Sequence, residues 1–364
     1  MIKESNLVKK ALINEDSVER ALITGFTGQD GSYLAEVLLE KGYEVYGMYR
    51  RISGDPFINV SHLNKKVKYV KGNVSDASSI YRIINEIKPH EIYNLAGQSQ
   101  VLESTIEPEE TFRINTIGVL NILEAIKLLD KNIKFYQAST SEMFGSSLPP
   151  QNEDTPFNPR SPYAIAKLAA HNLVRNYRES YNLFACAGIL FNHESPRRGK
   201  DFVTRKISHS IAKIKLGYQD FFELGNLDAK RDWGYAKEYV EAMWRMLQQD
   251  KPQDYVIGTG ESHTVREFVE EAFKVVDMPI TWEGKGLDEV GIHDGKKVVK
   301  INPRFYRPSE VNFLLADATK AKRELGWEAK TSFRDLAKMM VESDLNHLQK
   351  YGPLETDRSR LDKD

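Results

Sequence analysis

The sequence predicts an α/β protein in which helices wrap both faces of a doubly wound parallel sheet, with a smaller, interleaved C-terminal substrate-binding lobe. Three observations carry that prediction. A strand–turn–helix signature, ALITGFTGQDG over Ala21–Gly31, runs into SYLAEVLLEK over Ser32–Lys41. Short apolar runs then alternate with amphipathic segments as far as Leu190, which requires crossovers and hence parallel strands. Beyond Leu190 that alternation stops and charges cluster.

With 364 residues, 41% apolar and 28% charged, the chain can bury a large core, as two domains or one α/β domain with an attachment. A net charge of −1 supplies no global field, so neither nucleic acid nor an anionic membrane is expected as a partner. The single cysteine, Cys186 in FACAGIL, excludes an internal disulfide and reads as a buried structural thiol. No run of 18 apolar residues occurs, so no membrane span is expected. The polar N-terminus is unlike a signal peptide, which points to a cytoplasmic protein.

Taken in order, residues 1–19 form an extension, an arm or an oligomer contact, before the first strand at Ala21–Ile23. Gly25, Gly28 and Gly31 permit a tight turn and a close approach to a pyrophosphate, whose charge sits on the following helix N-terminus. In this strand–turn–helix context the spacing is a Rossmann-type dinucleotide fingerprint. Gly25, Thr27, Gly28, Gln29, Asp30 and Gly31 are the candidate contacts. The helix over Ser32–Lys41 places Leu34, Val37 and Leu38 at helical spacing.

Glu44–Tyr49 is the second strand. A free ribose 2′-hydroxyl usually meets an acid about 20 residues past the glycines. Here that position holds Arg50-Arg51-Ile52-Ser53, with no acid before Asp55. Two guanidinium groups and a hydroxyl suit a 2′-phosphate, so Arg50, Arg51 and Ser53 point to NADP. Val67–Val70 is a third strand, followed by Asn73, Val74 and a helix over Ser79–Ile87 that Pro89 ends. Glu91–Leu95 is a fourth strand running into Ala96-Gly97-Gln98-Ser99, small residues beside which a cofactor can lie. Asn73, Val74 and Leu95 to Ser99 complete the candidate cofactor contacts. Glu109–Asp130 is a long helix, with Ile114, Ile117, Leu120, Leu123 and Ile126 at helical spacing, and Ile133–Ala138 is a fifth strand. Ligands are expected outside the carboxyl ends of these strands.

The fifth strand ends in Ser139-Thr140-Ser141-Glu142, and a polar loop leads to a helix opening at Ser161-Pro162-Tyr163. Tyr163 and Lys167 are four apart and share one helix face. Of 17 tyrosines only this one has a lysine four residues later. A positive lysine beside a phenol favours tyrosinate, which could then take a proton from an alcohol.

The stretches ALITGFTGQDGSYLAE, IYNLAGQSQ, FYQASTSEMFG, PRSPYAIAK, GILFNHESPRRG, FVTRKIS, LGNLDAKRDWG and YRPSEV together resemble the extended short-chain dehydrogenase/reductases. FNHESPRRG and NLDAKRDW narrow the resemblance to the GDP-mannose 4,6-dehydratase family. The resemblance implies an internal redox cycle with NADP. Tyr163 removes the 4-hydroxyl proton as C4 gives up hydride, and the 4-ketone acidifies C5. Glu142 takes the C5 proton, and Thr140 with Glu142 helps the C6 hydroxyl leave before hydride returns to C6. Matching also places His193 and Arg198 near the cofactor, and Ser99, Glu142, Asn192, Val203, Lys206, Arg231, Arg307 and Glu310 near the sugar nucleotide.

The chain departs from the family pattern at Ala96-Gly97, Gln100, Asn73 and Glu110. Three other readings stay open: a 4-epimerase or 4-reductase, dehydration of a GDP-manno-heptose, or an inactive nucleotide-binding regulator. Retention of Thr140, Glu142, Tyr163 and Lys167 opposes the last. No metal site is expected, and a homodimer or homotetramer is, with the loop Arg50–Val60 reaching a neighbour's site. Interleaved domains are expected: 20–190 rejoined by about 234–260, a lobe from 191–233 and 261–348, and a charged tail at 349–364.

Overall fold

A computed structural model of the chain describes residues 18–51, 57–306 and 309–353. Most of the N-terminal extension, Ser53, Arg307 and the tail beyond 353 lie outside the described residues.

The first strand, β1 (Arg20–Thr24), is buried from Ala21 onward. Gly25 then turns the chain at φ +66°, a left-handed conformation that a side chain would strain. Helix α1 (Gln29–Glu40) starts at Gln29, three residues before Ser32, because the extended backbone of Gly28 caps it. Gly31 therefore lies inside the first turn, where a Cβ would come within 2.6 Å of the Gly25 carbonyl. Strands β2 (Glu44–Tyr49) and β3 (Lys68–Lys71) follow, then α2 (Ala77–Ile87). That helix begins before Ser79 because Asp76 caps it, accepting from the Ser78 and Ser79 amides at 3.0 and 3.2 Å.

After β4 (Glu91–Asn94) come α3 (Glu103–Ile106), α4 (Pro108–Phe112) and α5 (Gly118–Leu129). The expected long helix is present, but residues Arg113–Ile117 widen into a π-turn. Strand β5 (Lys134–Thr140) runs two residues past Ala138, carrying Ser139 and Thr140 on the sheet. Helix α6 (Pro162–Tyr181) opens as expected, with the Ser161 hydroxyl accepting from the Ala164 amide at 3.1 Å. Strand β6 (Ala185–Leu190) holds Cys186, whose fully buried thiol is pushed well up by that burial.

The chain then leaves the sheet through β7 (Asn192–Glu194), α7 (Val203–Lys215), β8 (Phe222–Leu224), β9 (Lys230–Arg231) and β10 (Trp233–Tyr235). It returns with α8 (Ala236–Leu247) and β11 (Tyr255–Ile257), which pairs in parallel with β6. Strand β12 (His263–Thr264), α9 (Val265–Val275), β13 (Thr281–Glu283), β14 (Val290–His293), β15 (Lys296–Ile301) and α10 (Phe333–Tyr351) complete the second lobe.

The main sheet has seven strands, all parallel, in the order β11-β6-β5-β4-β1-β2-β3. Its order reverses between β1 and β4, so a crevice opens at their carboxyl ends. One face packs on α1 and α8, the other on α2, α5 and α6. The lobe has its own core around Trp233, Phe268, Phe273 and Phe333.

The two parts are pinned together at α1. The Ser195 hydroxyl donates to Gln29 Oε1 at 2.7 Å, and Arg197 donates to the Ser32 hydroxyl at 3.1 Å. Arg197 also ion-pairs with Glu36 and lies 3.9 Å over the Tyr33 ring. Deeper in the lobe, buried Asp344 of α10 accepts from Arg205 and Ser208 of α7. Among the described residues no helix is long and apolar enough to cross a membrane, and no cluster suited to a metal occurs.

Candidate active site

A cleft of about 570 Å³ lies between the carboxyl ends of the central strands and the lobe. A buried ladder ties together β1, β4 and β5: Thr24 Oγ1 donates to Asn94 Oδ1 at 2.5 Å, and Asn94 donates to Gln137 Oε1 at 2.7 Å. The Thr24 hydroxyl in turn accepts from the Ala96 amide at 3.2 Å, fixing the start of the loop after β4.

One end of the cleft is built to receive a phosphate. No side chain caps the N-terminus of α1, whose first residues, Gln29 to Gly31, line the cleft, so its orphan amides are suited to an anion there. A Cβ on Gly25 would lie 2.7 Å from the Ala96 nitrogen, and one on Gly97 would lie 2.9 Å from Asn115 Oδ1. These close approaches keep the cradle open, and a dinucleotide fits it. Thr27, Gln29, Asp30, Leu95, Ala96 and Ser99 line the same end.

The reacting groups gather further along. Thr140 ends β5, and its hydroxyl accepts from the Glu142 amide at 3.3 Å. Tyr163 hydrogen-bonds to Thr140 from the first turn of α6. One turn on, Lys167 donates to the Ala138 carbonyl at 3.0 Å, with Nζ 5.9 Å from the Tyr163 ring centre. Thr140, Glu142, Tyr163 and Lys167 are all buried and all line the cleft.

The electrostatics differ from the expectation that Lys167 favours tyrosinate. Burial pushes the Tyr163 phenol up to about 12, and the nearby Glu142 adds to that, while the Thr140 hydroxyl and Arg198 oppose it. Burial also brings the Lys167 ammonium down to about 8. The lysine bonds a carbonyl rather than the phenol, so withdrawal from water dominates both groups.

On the lobe side, Asn192, His193, Arg198, Val203, Lys206, Arg231 and Glu310 all line the cleft. Asn192 Oδ1 is buried there with no hydrogen-bond partner among the described residues. Arg231 donates to Glu310 at 3.2 Å. Lys206 sits 3.3 Å over the Phe305 ring, and burial lowers its pKa to about 8 despite Glu223 and Asp201.

Some expected residues stand elsewhere. Arg50 and Arg51 are exposed at the end of β2, outside the lining, and Arg50 lies 3.9 Å from Glu110. Asn73 lines a separate small hollow with Asp76, Glu110 and Arg113, and Val74 is buried under Gly118. Gln98 is held just behind the cleft. Asn115 does this: its Oδ1 accepts from the Gln98 amide at 3.0 Å, and its amide donates to the Gln98 carbonyl at 2.8 Å. Sequence reasoning missed Asn115, for which the one signal was a polar residue between Ile114 and Ile117. It also missed Phe305 and Asn226 in the lobe wall, where nothing in the spacing marks them.

A parallel dinucleotide-type sheet, an interleaved lobe and a Tyr-x-x-x-Lys pair in the cleft between them define the class, the extended short-chain dehydrogenase/reductases. The profile described as GDP-mannose 4,6 dehydratase matches residues 22–340. The GDP-mannose 4,6 dehydratase of Drosophila melanogaster is 52% identical over 361 residues, 96% of this chain and 91% of that protein. That of Homo sapiens is 54% identical over 338 residues, covering 89% and 91%. Among solved structures, UDP-glucose 4-epimerase from Thermotoga maritima with UDP-glucose matches with a TM-score of 0.76 and 26% identity, covering 90% and 99%. dTDP-glucose 4,6-dehydratase from Bacillus anthracis in complex with NAD has the same fold, with a TM-score of 0.76 at 21% identity and coverage of 93% and 100%. This chain belongs to the GDP-mannose 4,6-dehydratase family.

Proposed function

We propose that this cleft binds NADP and GDP-mannose and produces GDP-4-keto-6-deoxy-mannose by 4,6-dehydration. The observation that carries the reading is the gathering of Thr140, Glu142, Tyr163 and Lys167 at one buried end of the cleft. Curated relatives about half identical to this chain bear the name of that reaction.

NADP, when bound, accepts the C4 hydride and later returns it to C6. The rest falls to side chains of this chain. The ionised form of Tyr163, which the Lys167 cation stabilises, takes the proton of the 4-hydroxyl and becomes the neutral phenol. Oxidation at C4 acidifies the C5 hydrogen, and Glu142 removes it. Thr140 and Glu142 then assist departure of the C6 hydroxyl as water. Positioned acids and bases of this kind each contribute roughly 10²–10⁴-fold.

Gly25 to Gly31 and Leu95 to Ser99 would hold the dinucleotide, and Arg50 and Arg51 would take its 2′-phosphate. Asn192, Val203, Lys206, Arg231 and Glu310 hold the GDP-sugar, since a diphosphate needs cations and a ribose diol suits a carboxylate. Segments 20–190 and about 234–260 form the dinucleotide domain, and 191–233 with 261–348 the substrate lobe. The protein works in the cytoplasm as a homodimer or homotetramer. Mass spectrometry of GDP-mannose incubated with the protein and NADP tests the reaction. Loss of one water is the expected result, and an unchanged mass overturns it.

A further inference from the structure

Helix α6 meets the end of β5 through a row of contacts, and the chemistry above leaves one of them without a role. Tyr163, Lys167 and His171 follow one another at four-residue spacing, so they form one stripe on α6. Tyr163 hydrogen-bonds to Thr140, and Lys167 donates to the Ala138 carbonyl at 3.0 Å. Between those two positions lies Ser139, whose hydroxyl is 3.1 Å from His171 Nδ1. Ser139 and His171 are both buried, and Ser139 lines the cleft beside Thr140.

The end of β5 is open on one side. Strand β4 pairs with it as far as Gln137, so Ala138 to Thr140 have β6 alone as a strand partner. The His171 ring, in contrast, is firmly seated. The Phe157 ring meets it edge-on with centroids 5.4 Å apart, and its Nε2 lies 4.0 Å from Asp254 Oδ2. Asp254 accepts from Arg178 at 2.9 and 2.7 Å and from the Ala187 amide of β6 at 2.8 Å. A carboxylate on that side favours a hydrogen on Nε2, which leaves Nδ1 to accept from the Ser139 hydroxyl. Burial lowers the His171 pKa although Asp254 opposes it, and Arg178 and Arg175 add to the lowering. The ring is therefore neutral at pH 7 and keeps its lone pair.

We infer that His171 is a positioning residue for the dehydration: through Ser139 it fixes the end of β5, so that Thr140 and the Ala138 carbonyl meet Tyr163 and Lys167. The inference rests on the dehydratase reading of the cleft. A misplacement of about 1 Å at reacting groups can cost about 10²-fold in rate. The lobe residues Asn192, Lys206, Arg231 and Glu310 stand on other segments, so loosening β5 leaves them in place. Loss of the contact should therefore appear in kcat and not in KM.

Two substitutions separate positioning from packing. His171→Asn is smaller than the ring but keeps an acceptor on the Ser139 side. His171→Leu fills more of the space and has no acceptor. Turnover of GDP-mannose with NADP+ is followed by mass spectrometry, NADP+ affinity by calorimetry, and folding by circular dichroism. We expect His171→Leu and Ser139→Ala each to lower kcat at least tenfold, and His171→Asn to stay within about threefold of the wild type. KM for GDP-mannose and Kd for NADP+ should stay within about threefold in all of them. The Ser139→Ala, His171→Leu double variant should be no slower than either single one, because both remove the same contact. An asparagine variant as slow as the leucine one, a leucine variant at wild-type kcat, or losses that add in the double variant overturn the inference. If His171→Leu does not fold, Ser139→Ala decides, and wild-type kcat there overturns it. A wild type that binds both ligands but releases no water would instead sink the dehydratase reading, and the inference with it.

Discussion

Tyr163 and Lys167 share one buried pocket, and burial works against the charged form of each. The phenol lies near 12 and the ammonium near 8, so at neutral pH the pair is a neutral phenol beside a cation. For activity the sign is simple: the cation is present below about pH 8 and lost above it. We therefore expect kcat/KM to fall as pH rises through about 8. The same fall should appear in Lys206→Met, because Lys206 also lies near 8. A profile flat to pH 10 would remove Lys167 from the step. Stability runs the other way: an ammonium with a folded pKa below its ordinary 10.5 costs stability at neutral pH. That cost fades as pH rises from about 8 toward 10.5.

Glu142 and Tyr163 carry different protons, so their losses should look different. Glu142→Gln keeps the shape of the site and leaves oxidation at C4 possible. It should accumulate reduced cofactor and a 4-keto sugar that retains its C6 hydroxyl, with slow exchange of the C5 hydrogen into solvent. Tyr163→Phe should give no absorbance at 340 nm at all. Water release at the wild-type rate by Glu142→Gln would show that its buried place beside Thr140 is structural. Arg50 poses a separate question, since its side chain is 59% exposed and its near neighbour is Glu110. If it reads a 2′-phosphate, Arg50→Asp should weaken NADP far more than NAD in a calorimetric comparison. Equal losses would mean that it does not.

At the scale of elements, the reach of the sequence depended on how local the cause was. The turn and first helix were legible because glycine spacing, strand and amphipathic period coincide within 21 residues, Ala21–Lys41. The Tyr163–Lys167 face was legible because four residues is one helical turn. The π-turn at Arg113–Ile117 was not, and Asn115 within it bonds Gln98, a partner 17 residues away. Nor was the tie between α7 and α10, where Asp344 meets Arg205 across 139 residues. That carboxylate is 1% exposed, and Arg205 donates to it at 2.6 to 3.0 Å. Burial raises the Asp344 pKa, but His209, Arg205 and Ser208 outweigh it and hold it low. Asp344→Ala strands a buried guanidinium, so we expect a loss of about 3–5 kcal/mol in urea unfolding. A loss under about 1 kcal/mol, the worth of an exposed pair, would mean that the cluster is solvated.

For the whole molecule, the chain's path constrains how it can come apart. The sheet is finished by β11, which is reached only after the chain has passed through β7 to β10 in the lobe. Neither part is therefore one continuous segment, and the lobe cannot be cut away without removing the edge strand that covers β6. The pins at α1 work in the same direction, because Ser195 and Arg197 of the lobe bond Gln29, Ser32 and Glu36 of the dinucleotide helix. Alternation and charge clustering revealed that two parts exist, but these cross-bonds join residues more than 160 apart and leave no periodic trace. We therefore expect a single cooperative unit. Four tryptophans report on it: Trp233 and Trp282 belong to the lobe, while Trp244 and Trp327 pack with the α1–α8 side of the sheet. In urea, tryptophan fluorescence and far-ultraviolet circular dichroism should trace one coincident transition. Replacing Arg197 by Met removes the bond to Ser32, the pair with Glu36 and the stacking on Tyr33 together. That variant should lower the midpoint of both curves equally. Two resolved transitions in the wild type would mean that the lobe folds independently and that the pins at α1 do not couple the two halves of the cleft.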